Sequence, residues 1–190
     1  IDVSSSDFSS IIEDVTKAVV SVKTNVGQGS GVIYDSEGYV LTNKHVIDSA
    51  SQIAVVDYNQ KAYPVKIVGT AKDSDLAVLQ IISNESFSRL KFASESEIKV
   101  GSKVIAIGNP KGLSFTVTEG IISATDRRID NTGIGYLQTD VSINSGNSGG
   151  PLVNSAKRIV GINTFKLTDS EGLGFAIPSS VAENIADQAR

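Results

Sequence analysis

Short runs of alternating or uniformly apolar residues, separated by Gly, Asp, Asn or Ser, recur along almost the whole chain. They fall at 19–22, 31–34, 39–42, 52–56, 62–70 and 76–82, and again at 103–108, 116–127, 135–139, 151–153, 159–164 and 172–177. A period of two sends successive side chains to opposite faces, so each run reads as a strand with one face on a core. Helical spacing appears only toward the ends. Ile11, Ile12, Val15 and Val19 repeat at that spacing behind Ser9 or Ser10 as caps. Val181, Ile185 and Ala189 form a second stripe after Pro178, which ends the preceding strand. The polar stretch 83–101, containing Ser94-Glu95-Ser96-Glu97, connects the two series of strands. The pattern predicts an all-β protein in two halves, with short helices near both termini.

Composition narrows the function classes. With 190 residues, 40% hydrophobic and 20% charged, the chain can bury roughly two thirds of its unfolded surface. A net charge of −4 and the lack of any dense Lys/Arg run disfavour nucleic acid as a partner. No apolar stretch approaches the ~18 residues of a membrane span. Without cysteine there is no disulfide or thiolate chemistry, and one histidine cannot assemble the usual zinc sets, so no metal is expected. No Walker loop, dinucleotide fingerprint or EF-hand loop is present, and no cofactor is expected. The chain begins at Ile1 and contains no methionine, which reads as a processed or truncated product missing its targeting segment.

The chemistry concentrates around one serine. In Gly146-Asn147-Ser148-Gly149-Gly150-Pro151-Leu152, glycines on both sides of Ser148 permit a tight turn that exposes its hydroxyl. The same turn can aim the backbone N–H groups of Gly146 and Ser148, with that of Asn147 between them, at one point, as an oxyanion hole. The single histidine, His45, and Asp75, at the head of the apolar run 76–79, complete the order His, Asp, Ser, one of the known orders of a catalytic triad. Ser148 is then the nucleophile, and His45, with an imidazole pKa near ~6.5, the general base and later the general acid. Asp75 holds the tautomer. Asp73 competes for that role, but the strand beginning directly after Asp75 fixes the latter better.

The motifs around these residues resemble the protease domain of the HtrA (DegP/Deg) family of serine endopeptidases. The resemblance rests on Gly29-Ser30-Gly31-Val32-Ile33, Gly38-Tyr39-Val40-Leu41-Thr42-Asn43-Lys44-His45-Val46, Asp75-Leu76-Ala77-Val78-Leu79, Gly108-Asn109-Pro110-Lys111-Gly112-Leu113 and Val117-Thr118-Glu119-Gly120-Ile121-Ile122-Ser123. Further along come Gln138-Thr139-Asp140, Asn144-Ser145-Gly146-Asn147-Ser148-Gly149-Gly150-Pro151-Leu152, Gly161-Ile162-Asn163-Thr164 and Gly174-Phe175-Ala176-Ile177-Pro178-Ser179. These segments stand in the family's order over about residues 11–185.

The resemblance implies a chymotrypsin-like double β-barrel, with a first barrel over about 19–88, a second over about 100–178, and terminal helices over about 9–18 and 179–189. It implies an extracytoplasmic endopeptidase acting on unfolded or misfolded polypeptide. The S1 wall is expected from Ser142, Ile143 and Asn144 and from the facing strand with Asn163 and Thr164. Neither segment holds an acid, so an Arg or Lys P1 side chain would lose its hydration unpaired, and Ile143 points to small or medium aliphatic P1 residues. Residues Thr164, Phe165 and Lys166 are expected to offer a strand edge to the substrate backbone. Connections 111–116, 127–135 and 166–172 correspond to regulatory loops, and Arg127 matches a family arginine in the relay between subunits. The family's basic unit is a trimer, in which Phe8 and Ile11 can serve, or they pack on their own barrel. A PDZ domain commonly follows the protease domain in this family, and this sequence reads as lacking it, whether by truncation or by nature. The short connection 22–29 argues against cage-like assemblies.

Two competing readings carry different signatures. A catalytically silent, chaperone-like double barrel would normally have a replaced triad residue, and none is replaced here. An esterase of the α/β-hydrolase class places its nucleophile before the acid and the histidine and alternates strands with helices, whereas here serine comes last. The same residues can form an active or a resting oxyanion loop, so sequence leaves that conformation open.

Overall fold

The computed structural model describes residues 8–109, 115–166 and 173–190. Helix α1 (Ser9–Thr16) leads into β1 (Val19–Thr24), β2 (Gln28–Asp35) and β3 (Tyr39–Thr42). A single helical turn, α2 (Lys44–Ile47), precedes β4 (Ile53–Val56), β5 (Ala62–Thr70) and β6 (Ala77–Ile81). These six strands close in the order β1-β2-β3-β6-β5-β4. Every pairing is antiparallel, as short alternating strands joined by tight turns dictate.

The second half repeats the plan with β8 (Lys103–Gly108), β9 (Thr116–Arg127), β10 (Tyr136–Thr139), β11 (Pro151–Val153), β12 (Arg158–Lys166) and β13 (Gly174–Pro178). Its order is β11-β8-β9-β10-β13-β12, and pairing of β11 with β12 closes the ring. The protein is thus an all-β double barrel with helices near its termini, the last being α3 (Ser179–Ala189).

The connecting stretch is less irregular than its polarity predicts. It contains β7 (Lys91–Phe92), which adds to β12 in parallel, and a 3-10 turn, Glu95–Glu97. That turn is held by a capping box in which Ser94 and Glu97 satisfy each other's backbone N–H groups. At the N-terminus, Ser9 and Ser10 are the first helical residues and not caps; the capping position is Phe8, in helical geometry and without a side-chain cap bond. Phe8 is buried in the core, with Ile11 and Ile12 packed against it, so the helix is held by apolar docking onto its own barrel. In α3 the buried apolar side chains are Ala182 and Ala186, flanked by the partly buried Val181, Ile185 and Ala189. Small residues at the contact let α3 lie close against β5 and β6 of the first barrel and β12 and β13 of the second. Tyr34 anchors it by donating to the Ala186 carbonyl at 3.2 Å, and burial raises the Tyr34 pKa. Among the described residues, no helix is long and apolar enough to cross a membrane.

Candidate active site

His45 sits in the one-turn helix α2, directly after β3. Local sequence gives this turn little support; Asp75 supplies it from the loop before β6. Its carboxylate accepts the His45 backbone N–H at 2.8 Å through Oδ1, while Oδ2 bonds His45 Nδ1. Its backbone carbonyl accepts the Lys44 N–H at 3.1 Å. One residue therefore fixes both the helical turn and the ring, leaving Nε2 to face Ser148, whose Oγ lies 3.2 Å away. The hydrogen bond to Asp75 raises the His45 pKa; burial of the ring opposes this, and the charges of Asp75 and Asp48 add to it. Asp73, the competing acid, lines a separate surface depression with Thr70, Ser74 and Asn184.

Ser148 is carried by the turn between β10 and β11, and the first barrel grips that turn. Ser30 of β2 donates its N–H to the Ser148 carbonyl at 3.0 Å and its hydroxyl to the Gly146 carbonyl at 2.9 Å, and accepts the Asn109 N–H at 2.8 Å. The fit leaves no room for side chains. Gly149 has φ +88°, and a Cβ there would lie 2.2 Å from the Ser30 carbonyl oxygen. One on Gly108 would lie 2.2 Å from the Gly146 carbonyl oxygen. Asn163 of β12 braces the other side: its carbonyl accepts the Gly149 N–H at 2.8 Å and its N–H donates to Gly150 at 3.0 Å. Its side-chain amide donates to the Pro151 carbonyl at 3.1 Å, so this fully buried residue supports the Ser148 turn from behind.

The N–H groups expected to form an oxyanion hole all bond within their own turn. The Gly146 N–H donates to Asn144 Oδ1 at 2.7 Å, and the Ser148 N–H to the Asn144 carbonyl at 2.9 Å. The Asn147 N–H shares that carbonyl at 3.2 Å. The turn is wound tightly enough to satisfy its own donors. The Asn147 side chain stabilises this winding, accepting from Asn144 N at 3.0 Å and donating to the Ser142 carbonyl at 2.8 Å. Sequence reasoning treated Asn147 only as a backbone donor; the Asn-x-x-Asn spacing is the signal for its clamping side chain.

The expected substrate wall divides in two. Ser142 and Asn144 are exposed, whereas Ile143 is buried in the second barrel's core with Leu137, Val141 and Ala176. Thr164 is buried, and its hydroxyl donates to Ile162 at 2.9 Å. Phe165 packs edge-on to Tyr136 at 5.4 Å and stacks with Phe175 at 5.3 Å. β13 pairs with one side of β12 through Lys166; on the other side β11 stops at Ile162, so among the described residues no strand covers that edge of 164–166. Arg127 ends β9, exposed and opposite Tyr136. Its neighbour Arg128 makes the backbone contact in this loop, donating to Gly133 at 3.2 Å. Most of the connections 111–116 and 166–172 lie outside the described residues.

Asn43 was missed. It is completely buried at the end of β3, and its Oδ1 accepts the Ser148 hydroxyl at 2.8 Å.

A half-buried Asp and a one-turn His thus face a glycine-flanked Ser across two antiparallel barrels. The family model of the trypsin-like peptidase domain matches residues 29–162. The chain belongs to this trypsin-like peptidase family. Within it the chain is an HtrA/DegP/DegS-like serine protease domain. It is 39% identical to the serine protease Do-like HtrA of Bacillus subtilis, an alignment covering 97% of this chain and 49% of that protein. It is 45% identical to the serine endoprotease DegS of Escherichia coli over 84% of this chain and 47% of that one. The crystal structure of the serine endoprotease from Yersinia pestis superposes with a TM-score of 0.86 at 41% identity, covering 96% of this chain and 66% of that one. The chain thus spans about half the length of the curated relatives quoted.

Proposed function

We propose that this trypsin-like peptidase domain is a serine endopeptidase acting on unfolded polypeptide. The observation that supports this reading is the Ser148 Oγ within 3.2 Å of His45 Nε2, on a ring whose other nitrogen bonds Asp75. In the proposed reaction Oγ attacks the scissile carbonyl carbon as its proton passes to Nε2. The resulting imidazolium is stabilised by Asp75 and then protonates the leaving amine. Water, activated by the same nitrogen, hydrolyses the acyl-enzyme. Charge on the tetrahedral oxygen calls for the Gly146 and Ser148 N–H groups, so substrate must displace Asn144 as their acceptor, opening the turn. One such donor is worth about 3 kcal/mol in the transition state.

The uncovered edge of 164–166 supports main-chain recognition by strand addition, which favours chains lacking their own structure. For P1 we propose small to medium aliphatic residues, because the segments 142–144 and 161–164 contain no acid to pair a cation. A peptide library should be cut mainly after Val, Ile, Leu or Ala; cleavage mainly after Arg or Lys would refute this. We further propose an extracytoplasmic location, on the relatives named periplasmic, a homotrimeric unit, and a regulatory role for Arg127. In the last case R127A should lose activation by peptide while keeping its basal rate.

The raised His45 pKa gives a signed pH dependence. The base works neutral, so kcat/KM should climb through a pKa above the ordinary imidazole value of 6.5. A rate profile on an aliphatic peptide checks this, and an acidic limb at or below 6.5 would contradict it. Stability runs the other way: because the folded pKa is raised, the His45–Asp75 contribution is complete below the unfolded value and lost as pH rises through the folded one.

A further inference from the structure

The Ser148 hydroxyl has one proton and three acceptors in reach. His45 Nε2 and the Thr164 carbonyl lie at 3.2 Å, and Asn43 Oδ1 is nearer, at 2.8 Å. The amide orientation of Asn43 is dictated by its surroundings. Its other end lies 3.0 Å from the Asp75 carbonyl, which can only accept, so that end is the NH2 group and Oδ1 must face the serine. The same NH2 reaches Thr164 Oγ1 at 3.4 Å. Asn43 thus joins the acid's backbone, the substrate-edge strand and the nucleophile, and it is 0% exposed.

The three acceptors suit two protonation states. When the ring is neutral, Nε2 accepts the hydroxyl proton and Oγ is ready to attack. When it is protonated, Nε2–H donates to Oγ, and the hydroxyl proton needs another acceptor. We propose that Asn43 is that acceptor, an auxiliary residue that holds the Ser148 hydroxyl proton when His45 is protonated in the unacylated enzyme. It acts directly on the reacting oxygen and stabilises the imidazolium of the resting enzyme; on attack the serine proton passes to Nε2 and this bond is released. The charged groups acting on the ring are Asp75, through the loop before β6, and Asp48, at the end of α2. Both charges are retained when Asn43 is replaced, and the S148A background controls for any shift of Asp75 through the lost bond to its carbonyl.

The inference rests on the pairing of Ser148 with His45, but its test does not need turnover. His45 is the chain's single histidine, so its ring resonances titrate without assignment ambiguity in NMR. Asn43→Ala should lower the His45 pKa by about half a unit to one unit, the size of one net hydrogen bond. In an S148A background the same substitution should leave it unchanged, because the effect passes through the hydroxyl. S148A alone should lower it by a similar amount. Asn43→Ser, which keeps a donor for the Asp75 carbonyl and loses reach to Ser148, serves as the second variant and should behave like N43A. A merely structural asparagine would give equal shifts in both backgrounds or none in either, and either result overturns the proposal. A chain that titrates as expected and hydrolyses nothing would refute the peptidase reading while leaving this role intact.

Discussion

Ser148→Ala is expected to lower kcat/KM for peptide hydrolysis by about 10⁴-fold or more while leaving the fold in place. The hydroxyl is the only atom removed, and the nucleophile turn is held by bonds the substitution does not touch: Ser30 to the Ser148 and Gly146 carbonyls, and Asn163 to the Gly149 N–H. What is lost in stability is the bond to Asn43, worth about 1 kcal/mol. His45→Ala should be nearly as severe, and the double variant no worse than either, because the groups act as one unit. Casein digestion and a urea melt, run on the same preparations, check both halves. Undiminished proteolysis in purified S148A would refute the assignment, as would equal losses in D73A and D75A for the choice of acid.

Gly149→Ala should be among the most damaging single-methyl additions at the described residues. Its φ of +88° is one that L residues rarely adopt, and the new Cβ would meet three rigid neighbours: the Ser30 carbonyl oxygen at 2.2 Å, Thr42 Oγ1 at 2.6 Å and the Asn43 backbone nitrogen at 3.2 Å. Two of these are backbone atoms of β2 and of the β3 terminus, so relief requires moving the first barrel away from the turn. The expected cost is about 3 kcal/mol or more, and displacement of Ser148 by even an ångström should lower activity about 100-fold further. A urea midpoint within about 0.5 kcal/mol of the native chain would show that the two barrels do not grip the turn in this way.

Much of the fold was legible because a two-residue period is a local signal. Strands 39–42, 62–70, 103–108, 116–127 and 151–153 begin and end where alternation does. The elements that escaped are those whose support comes from elsewhere in the chain. Strand β7 is two residues long and exists because β12 pairs with it and the Ile159 carbonyl accepts the Ala93 N–H at 2.8 Å. Helix α2 is one turn, shaped by Asp75 thirty residues away. The candidate site divides along the same line. His45, Asp75 and Ser148 announce themselves through rare residue types and glycine flanks. Asn43 and Ser30 do not, since an asparagine and a serine in polar stretches look like turn residues until the second barrel closes against them. The winding of 142–148 was also invisible, because Asn144 and Asn147 decide it by geometry and the residues are the same in either state.

The central claim is that Ser148, and no other serine, is a nucleophile activated by His45. The most direct test is covalent labelling of the native chain by a fluorophosphonate, followed by mass mapping of the digested protein. One adduct per chain, on the peptide containing Ser148 and absent from both S148A and H45A, is the predicted result. No adduct on that peptide, or an adduct that persists in S148A, would contradict the account.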